Sequence, residues 1–382
     1  MKKYDVVVAG GGLIGASIAF ELAQAGLHVG VFDAREPGRE ASWASAGIIS
    51  PAPEGPGMIP LVALSKASAA MYPKFIEAVE EASGQKVEYR PNGAMEVFWE
   101  GDVREKISTL LAVYHGVGLR AEALTGERAK ELEPGLMEEA QGGVLRPDES
   151  SVDNRALTQA TLAAAKRKGV DIFAGNGTTE IWKAGGRCKG LQLTNGRAEA
   201  NWTIIAAGCF SAKIEGAAPY APVSPTKGQM AVLRCEAVKI QHVLWSENIY
   251  LVPRNDGRIL AGSTVERIGF DHDVTAGGMK KIINGAIELV PGLAKARIEE
   301  TWAGLRPDSP DHLPILGPTD VHGLLMATGH FRSGILLAPL TARLMREWIT
   351  TQRVSADWER FSPMRFLEAQ AQGREGASNR QI

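Results

Sequence analysis

Val6-Val7-Val8-Ala9-Gly10-Gly11-Gly12-Leu13-Ile14-Gly15 is the stretch on which the fold turns. The β-branched run predicts a strand, and Ile14, Ile18, Leu22 and Ala25 then recur at helical spacing. The helix is expected to stop near Gly26, where glycine tolerates a positive φ. His28–Phe32 read as a second apolar strand ending at Asp33. Together these make a βαβ unit. Gly10-x-Gly12-x-x-Gly15 inside it fits the dinucleotide fingerprint, in which one glycine makes the turn, one admits the pyrophosphate and one packs helix on strand. The helix N-terminus, with Leu13 and Ile14 in its first turn, offers its partial positive charge to the phosphates. Asp33, followed by Ala34, stands about 20 residues on, where a carboxylate accepts hydrogen bonds from a ribose hydroxyl.

Outward from this unit, Asn154–Lys168 reads as a helix, with Val170–Phe173 and Thr203–Ala207 as strands, the last closed by Gly208. The alternation suits the later part of a doubly wound sheet. Val87–Val97, Met230–Leu233, Ile249–Val252 and Ile259–Ala261 are short and extended, separated by turn signals such as Asn255-Asp256-Gly257. The expected fold class is α/β, α+β overall. A Rossmann-like nucleotide domain is built from residues 1–85, 149–219 and 301–370. A mostly antiparallel substrate domain is inserted at 86–148 and 220–300, and a polar tail follows at 371–382. Pro51–Pro60 reads as a loop rich in proline and glycine, carrying Glu54.

The 382 residues suit two domains, and 45% apolar with 23% charged residues is an ordinary globular composition that argues against disorder. A net charge of -2 with scattered Lys and Arg excludes phosphate-backbone binding as a theme, so no nucleic-acid partner is expected. Cys188, Cys209 and Cys235 are too few and too far apart for a disulfide framework or a paired-Cys metal site, and read as free thiols in a reducing compartment. No metal is expected. Lys2 and Lys3 precede the apolar Val6–Phe20, but three glycines and Asp5 argue against a signal peptide. No stretch approaches the roughly 20 apolar residues of a transmembrane helix. A cytoplasmic enzyme is the expectation.

The fingerprint alone does not choose between NAD and FAD. The segment after Asp33, Gly38-Arg39-Glu40-Ala41-Ser42-Trp43-Ala44-Ser45-Ala46-Gly47-Ile48, does, because its small residues can run close against a flat ring system that a nicotinamide enzyme does not need. Thr328-Gly329-His330-Phe331-Arg332-Ser333-Gly334 leads straight into an apolar helix starting near Ile335. Backbone N–H groups and a helix dipole there could meet the negative charge that a reduced flavin gains at N1 and the C2 carbonyl.

Trp302-Ala303-Gly304-Leu305-Arg306-Pro307, then Asp311–Gly317 and Gly329–Pro339, resemble the glycine oxidases of the D-amino-acid-oxidase-like flavoprotein family. The resemblance covers essentially the whole chain. Its C-terminal motifs are specific, whereas the N-terminal fingerprint is shared with many nucleotide-binding proteins. It implies a bidentate contact from Arg306 to a substrate carboxylate, a hydrogen bond from the Tyr250 phenol, and Arg332 near the same pocket. It places Ser42, Ser45, Ala46, Gly47 and Ile48 around the flavin ring and Thr178 at the adenine, with Ala207, Gly208 and Gly329–Ile335 as further flavin contacts. The implied activity is FAD-dependent oxidative deamination of glycine, sarcosine or small D-amino acids. Hydride passes to flavin N5 and then to molecular oxygen, giving imine or glyoxylate, ammonia and hydrogen peroxide. A role in thiamine thiazole biosynthesis and a homo-oligomer are implied with it. Relatives that attach flavin covalently use a cysteine near the C-terminal motif, and this chain has none after Cys235, so FAD is expected to bind non-covalently.

A guanidinium fork matches a carboxylate in two parallel hydrogen bonds and so fixes orientation. With the carboxylate held and the amine neutral, no protein base is needed to take the α proton. His330, the tempting base, reads better as a structural or flavin-contacting residue. Arg306 as a surface ion-pair partner and Tyr250 as sheet core are the bland alternatives. A D-amino-acid dehydrogenase passing electrons to a quinone or other carrier, and a non-catalytic flavin module, are the competing functions. Trp43, among small residues, is expected to alter packing beside the flavin.

Overall fold

The computed structural model describes residues 3–368. The expected polar tail lies outside the described residues. Lys3–Ala9 is the central strand of the first sheet, parallel to Val29–Phe32 on one side and to Arg197–Ile205 on the other. Asp171–Phe173 extends the sheet beyond Val29–Phe32, and Leu324–Thr328 joins Arg197–Ile205, both in parallel. Val6 and Val8 bury against the helices Leu13–Gln24, Asn154–Arg167 and Gly334–Thr351, while Val7 and Ala9 bury on the opposite face. An unbroken apolar run is what a strand covered on both faces requires.

The second covering layer differs from the expected doubly wound pattern. Thr178–Ala184, Arg187–Leu193 and the start of Arg197–Ile205 form an antiparallel meander instead of a helical crossover. Its turns hold Gly185-Gly186 and Asn195-Gly196, with φ of 60°, 73° and 87° at the three glycines. Such pairs are the residues that two-residue hairpin turns demand.

The second sheet has the order Arg297–Asp308, Ser224–Arg234, Arg258–Gly262, Tyr250–Pro253, Val243–Trp245, Ala94–Phe98, Gly142–Arg146, Glu122–Thr125. Every pair in it is antiparallel except Val243–Trp245 with Ala94–Phe98. The strand Arg297–Asp308 runs across the boundary expected at residue 301, and its whole length pairs with Ser224–Arg234. Side chains alternate in register. Ala231, Leu233, Leu251 and Ala261 pack beneath the helix Ala276–Leu289, whereas Met230, Val232, Val252, Leu260 and Trp302 face Ala46 and Ile48.

The end of Pro51–Pro60 is a 3-10 turn, Pro56–Leu61, feeding a long helix, Val62–Ser83. That helix repairs the Gly334–Thr351 helix, where Pro339 has no N–H for the Ile335 carbonyl. The Tyr72 hydroxyl donates to that carbonyl, and Ser68 Oγ donates to the Leu336 carbonyl at 2.6 Å. Among the described residues no helix is long and apolar enough to cross a membrane.

Candidate active site

A cavity of about 720 Å³ runs between the two sheets, beginning at the glycine turn. Gly10 has φ 105°, and a Cβ there would lie 2.5 Å from the Ala206 carbonyl oxygen. A Cβ on Gly15 would lie 2.0 Å from the Gly10 carbonyl oxygen. Both positions therefore need hydrogen in place of a side chain. Gly12 caps the helix without any side-chain hydrogen bond, and the cavity is lined there by Gly10, Gly12 and Ile14. Leu13 and Gly15 stand behind this surface, Leu13 N donating to Ser42 Oγ at 2.9 Å. Asp33 accepts from Gly11 N at 2.7 Å and Arg35 N at 2.9 Å, so its carboxylate ties the two strand ends together while lining the cavity with Ala34. Thr178, Ala207 and Gly208 line the same end. A bare turn, an open helix start and an acid in register fit the diphosphate and ribose of a dinucleotide such as FAD.

Beyond the turn, Ser42, Ser45, Ala46 and Ile48 form one wall. Their backbone is pinned from outside. Asn154 Nδ2 donates to the Ser42 carbonyl at 2.7 Å, Trp302 Nε1 to the Ala44 carbonyl at 3.0 Å, and Arg254 Nη2 to the Ala46 carbonyl at 2.8 Å. Gly47, with φ 74°, packs on the Val152 carbonyl rather than on the cavity. Trp43 corrects an expectation: it turns away from the cavity and stacks under Arg155, 3.6 Å from guanidinium carbon to ring centroid. The opposite wall is His330, Phe331, Arg332, Ser333, Gly334 and Ile335 at the start of the last long helix, whose cap has no side-chain hydrogen bond. Gly329, φ 68°, lies behind them. His330 is 3% exposed, its Nε2 lies 3.2 Å from Thr341 Oγ1, and burial pushes its pKa down to about 3. The imidazole is therefore neutral and is not poised as a base.

Arg306 and Tyr250 meet in the middle of the cavity, on the face of the second sheet turned towards these walls. Arg306 Nη1 donates to the Thr264 carbonyl at 3.2 Å and Nη2 to Ser263 Oγ at 2.6 Å. Burial lowers the Arg306 pKa, and the Tyr250 phenol beside it pulls the other way. The phenol is 3.2 Å from Met230 Sδ. Gly228 removes a side chain directly beside the guanidinium, since a Cβ there would lie 2.4 Å from both terminal nitrogens, and Gly304 makes room for Ala44, whose Cβ an added Cβ would meet at 2.2 Å. Arg332 also lines the cavity, but it is ion-paired with Glu54 of the 50–60 segment.

The sequence singled out neither Gly228, Met230 and Ser263 nor a further group at the distal end, Glu96, Tyr114, Arg146 and Trp245. Glu96 inside the apolar strand Ala94–Phe98 was the one local signal for that group. Cys209 lines the cavity near the glycine turn, and burial pushes its thiol up to about 12, so it stays protonated.

Known proteins are similar to this chain over nearly its whole length. The signature of the family described as FAD dependent oxidoreductase, DAO, matches residues 5–348. The "Bifunctional protein ThiO/ThiG" of Synechocystis sp. is 36% identical over 371 residues, covering 95% of this chain and 54% of that protein. The chain thus spans about half the length of that relative and of two others of the same name. The glycine oxidase of Geobacillus kaustophilus is 31% identical over 371 residues, covering 96% of this chain and 98% of that protein. Its crystal structure superposes with a TM-score of 0.90, covering 95% of this chain and 98% of that one.

Proposed function

From the premise that this chain belongs to the FAD-dependent oxidoreductase family DAO, we propose that it oxidises the amine of glycine or a similarly small amino acid. The observation that carries the reading is Arg306, a guanidinium held in a cavity between the glycine turn and the second sheet. Arg306 receives the substrate carboxylate in two parallel hydrogen bonds, and the Tyr250 phenol adds a third. Ser263 Oγ and the Thr264 carbonyl hold the fork from behind, so the substrate is oriented by a rigid group. When bound, FAD supplies a two-electron acceptor that oxygen regenerates with release of hydrogen peroxide. The substrate leaves as an imine, which water hydrolyses to the oxo acid and ammonia; from glycine these are glyoxylate and ammonia. His330 is held neutral within the wall it shares with Phe331 and Arg332, and Glu54 is engaged by Arg332. The amine therefore reacts in its neutral form without a protein base.

The relatives named ThiO/ThiG and glycine oxidase support a glycine-sized substrate and a place in thiamine thiazole formation, where the imine itself is the useful product. The same reading includes non-covalent FAD, a homo-oligomer and oxygen as acceptor. Purified protein should be yellow and should bleach on anaerobic addition of glycine. An oxidised spectrum that persists with glycine, sarcosine and D-alanine would remove the reading, and peroxide yield with and without an artificial carrier separates oxidase from dehydrogenase.

A further inference from the structure

Pairing register puts one residue from each of six strands into a single row across the second sheet. Met230 is opposite Trp302 and Gly262, Gly262 opposite Tyr250, Tyr250 opposite Trp245, and Trp245 opposite Glu96. Glu96 therefore stands two strands, roughly 10 Å, from Tyr250 in the backbone. Both line the same cavity, with the Trp245 ring between them at 5.1 Å from the Tyr250 ring. A glycine held at Arg306 leaves this length unfilled.

The distal end is charged and largely buried. Arg146 Nη1 lies 3.2 Å from Glu96 Oε2 and 2.9 Å from the Tyr114 hydroxyl, and Nε lies 3.0 Å from Glu149 Oε1. Two carboxylates thus serve one guanidinium. Glu149 is 3% exposed, takes a hydrogen bond from Ser50 Oγ at 2.6 Å, and its Oε2 is buried with no hydrogen-bond partner. Glu96 meets Arg146 through Oε2 and is left facing the cavity. Arg146 Nε and Trp245 Nε1 are likewise buried with no hydrogen-bond partner, so the bias of this end lies in its formal charge, two carboxylates against one guanidinium. An anionic group would face both carboxylates against the one guanidinium. A cation would find the cavity-facing Glu96 carboxylate, while Arg146 itself covers the Tyr114 and Trp245 rings, 5.5 and 5.8 Å from their centroids.

We propose that this end is a second recognition subsite, taking the ammonium or guanidinium tip of an amino acid whose carboxylate is held at Arg306. It rests on the reading of Arg306 above and widens the substrate class from glycine to basic D-amino acids of lysine or arginine length.

The test uses holoprotein and two carboxylates that lack an α-amine and cannot be oxidised, 6-aminohexanoate and hexanoate, titrated against the flavin spectrum. Wild type should bind the amino compound about tenfold or more tightly, the value of one charged hydrogen bond. Glu96→Gln should shrink that ratio to within about threefold, and D-lysine should lose its kcat/KM advantage over D-norleucine in step. Each readout is a ratio within one protein, so a general loss of activity cancels, and the wild-type titration needs no variant to fold. Equal binding of the two acids by wild type, with glycine still bleaching the flavin, overturns the subsite alone. A retained preference for 6-aminohexanoate with no bleaching by any small amino acid overturns the glycine reading and leaves the subsite standing.

Discussion

Gly228→Ala isolates the role of Arg306 without touching its charge. Gly228 sits opposite Gly304 in the pair formed by Ser224–Arg234 and Arg297–Asp308, and its Cβ would lie 2.4 Å from Nη1 and Nη2 and 2.6 Å from Cζ of Arg306. Ordinary contact begins near 3.4 Å, so the guanidinium must retreat by about 1 Å. The backbone need not move, because the obstacle is the far end of a flexible side chain and alanine is tolerated in an antiparallel strand. The retreat strains the 2.6 Å bond to Ser263 Oγ and the 3.2 Å bond to the Thr264 carbonyl, so the fork loses both its position and its support. A misplacement of this size costs about 100-fold where geometry governs the rate. We expect kcat/KM for glycine to fall by roughly 30- to 100-fold, with FAD content unchanged and the thermal midpoint within a few degrees of wild type. The assay is anaerobic flavin reduction over a glycine series, read beside a thermal melt. A folded, yellow variant whose kcat/KM stays within about twofold of wild type would refute the assignment of the carboxylate to Arg306.

Three further outcomes follow from the same geometry. Gly15→Ala should yield colourless protein, because the new Cβ would lie 2.0 Å from the Gly10 carbonyl oxygen and displace the turn; full flavin absorbance per chain would count against the cradle. His330 is held neutral with its pKa pushed down to about 3, while an unfolded histidine takes up its proton near 6.5. Its contribution to stability is therefore complete above pH 6.5 and is lost as pH falls towards 3, on the order of several kcal/mol. Urea melts between pH 7.5 and 5 should show the first part of this loss, about 2 kcal/mol, in wild type and a flatter profile in His330→Gln. Glu54→Gln frees Arg332 from an ion pair in which both side chains are about a third or more exposed, so the gain is small. Iminodiacetate, with two carboxylates, should improve against glycine by up to about fivefold, and an unchanged ratio of KM values would show that Arg332 does not reach the substrate.

The βαβ start was legible because each of its signals is local: a β-branched run, a glycine turn, a 3.6-residue period and an acid at the strand end. The meander Thr178–Ile205 was not, although Gly185-Gly186 and Asn195-Gly196 mark its turns, because its strands mix exposed Glu180 and Lys183 with buried Ile181 and Leu191. The helix Val62–Ser83 was hidden by Pro73 and by the proline- and glycine-rich stretch before it. In the site, motifs that are contiguous in sequence were easy to find. The distal group was not, since Glu96, Arg146 and Trp245 come from three strands far apart in sequence and meet only through sheet register. Trp43 misled for the opposite reason: its neighbours line the cavity, but one step along the short helix Ala41–Ala44 turns it onto Arg155.

Register also explains how two sheets can hold one reaction geometry. The strand Arg297–Asp308 carries Arg306 on the second sheet, and its next residue, Pro307, accepts a hydrogen bond at 2.9 Å from the backbone N–H of Phe331. Phe331 has φ 48° and stands in the turn that opens the Gly334–Thr351 helix. The group proposed to grip the carboxylate and the turn proposed to support the flavin are therefore joined by one peptide unit and one backbone hydrogen bond. Side-chain adjustments elsewhere in the cavity can change which substituent fits at Trp245 and Glu96. They leave the spacing between carboxylate and flavin almost untouched. A site built this way can vary its substrate from the distal end while keeping the reacting atoms in place.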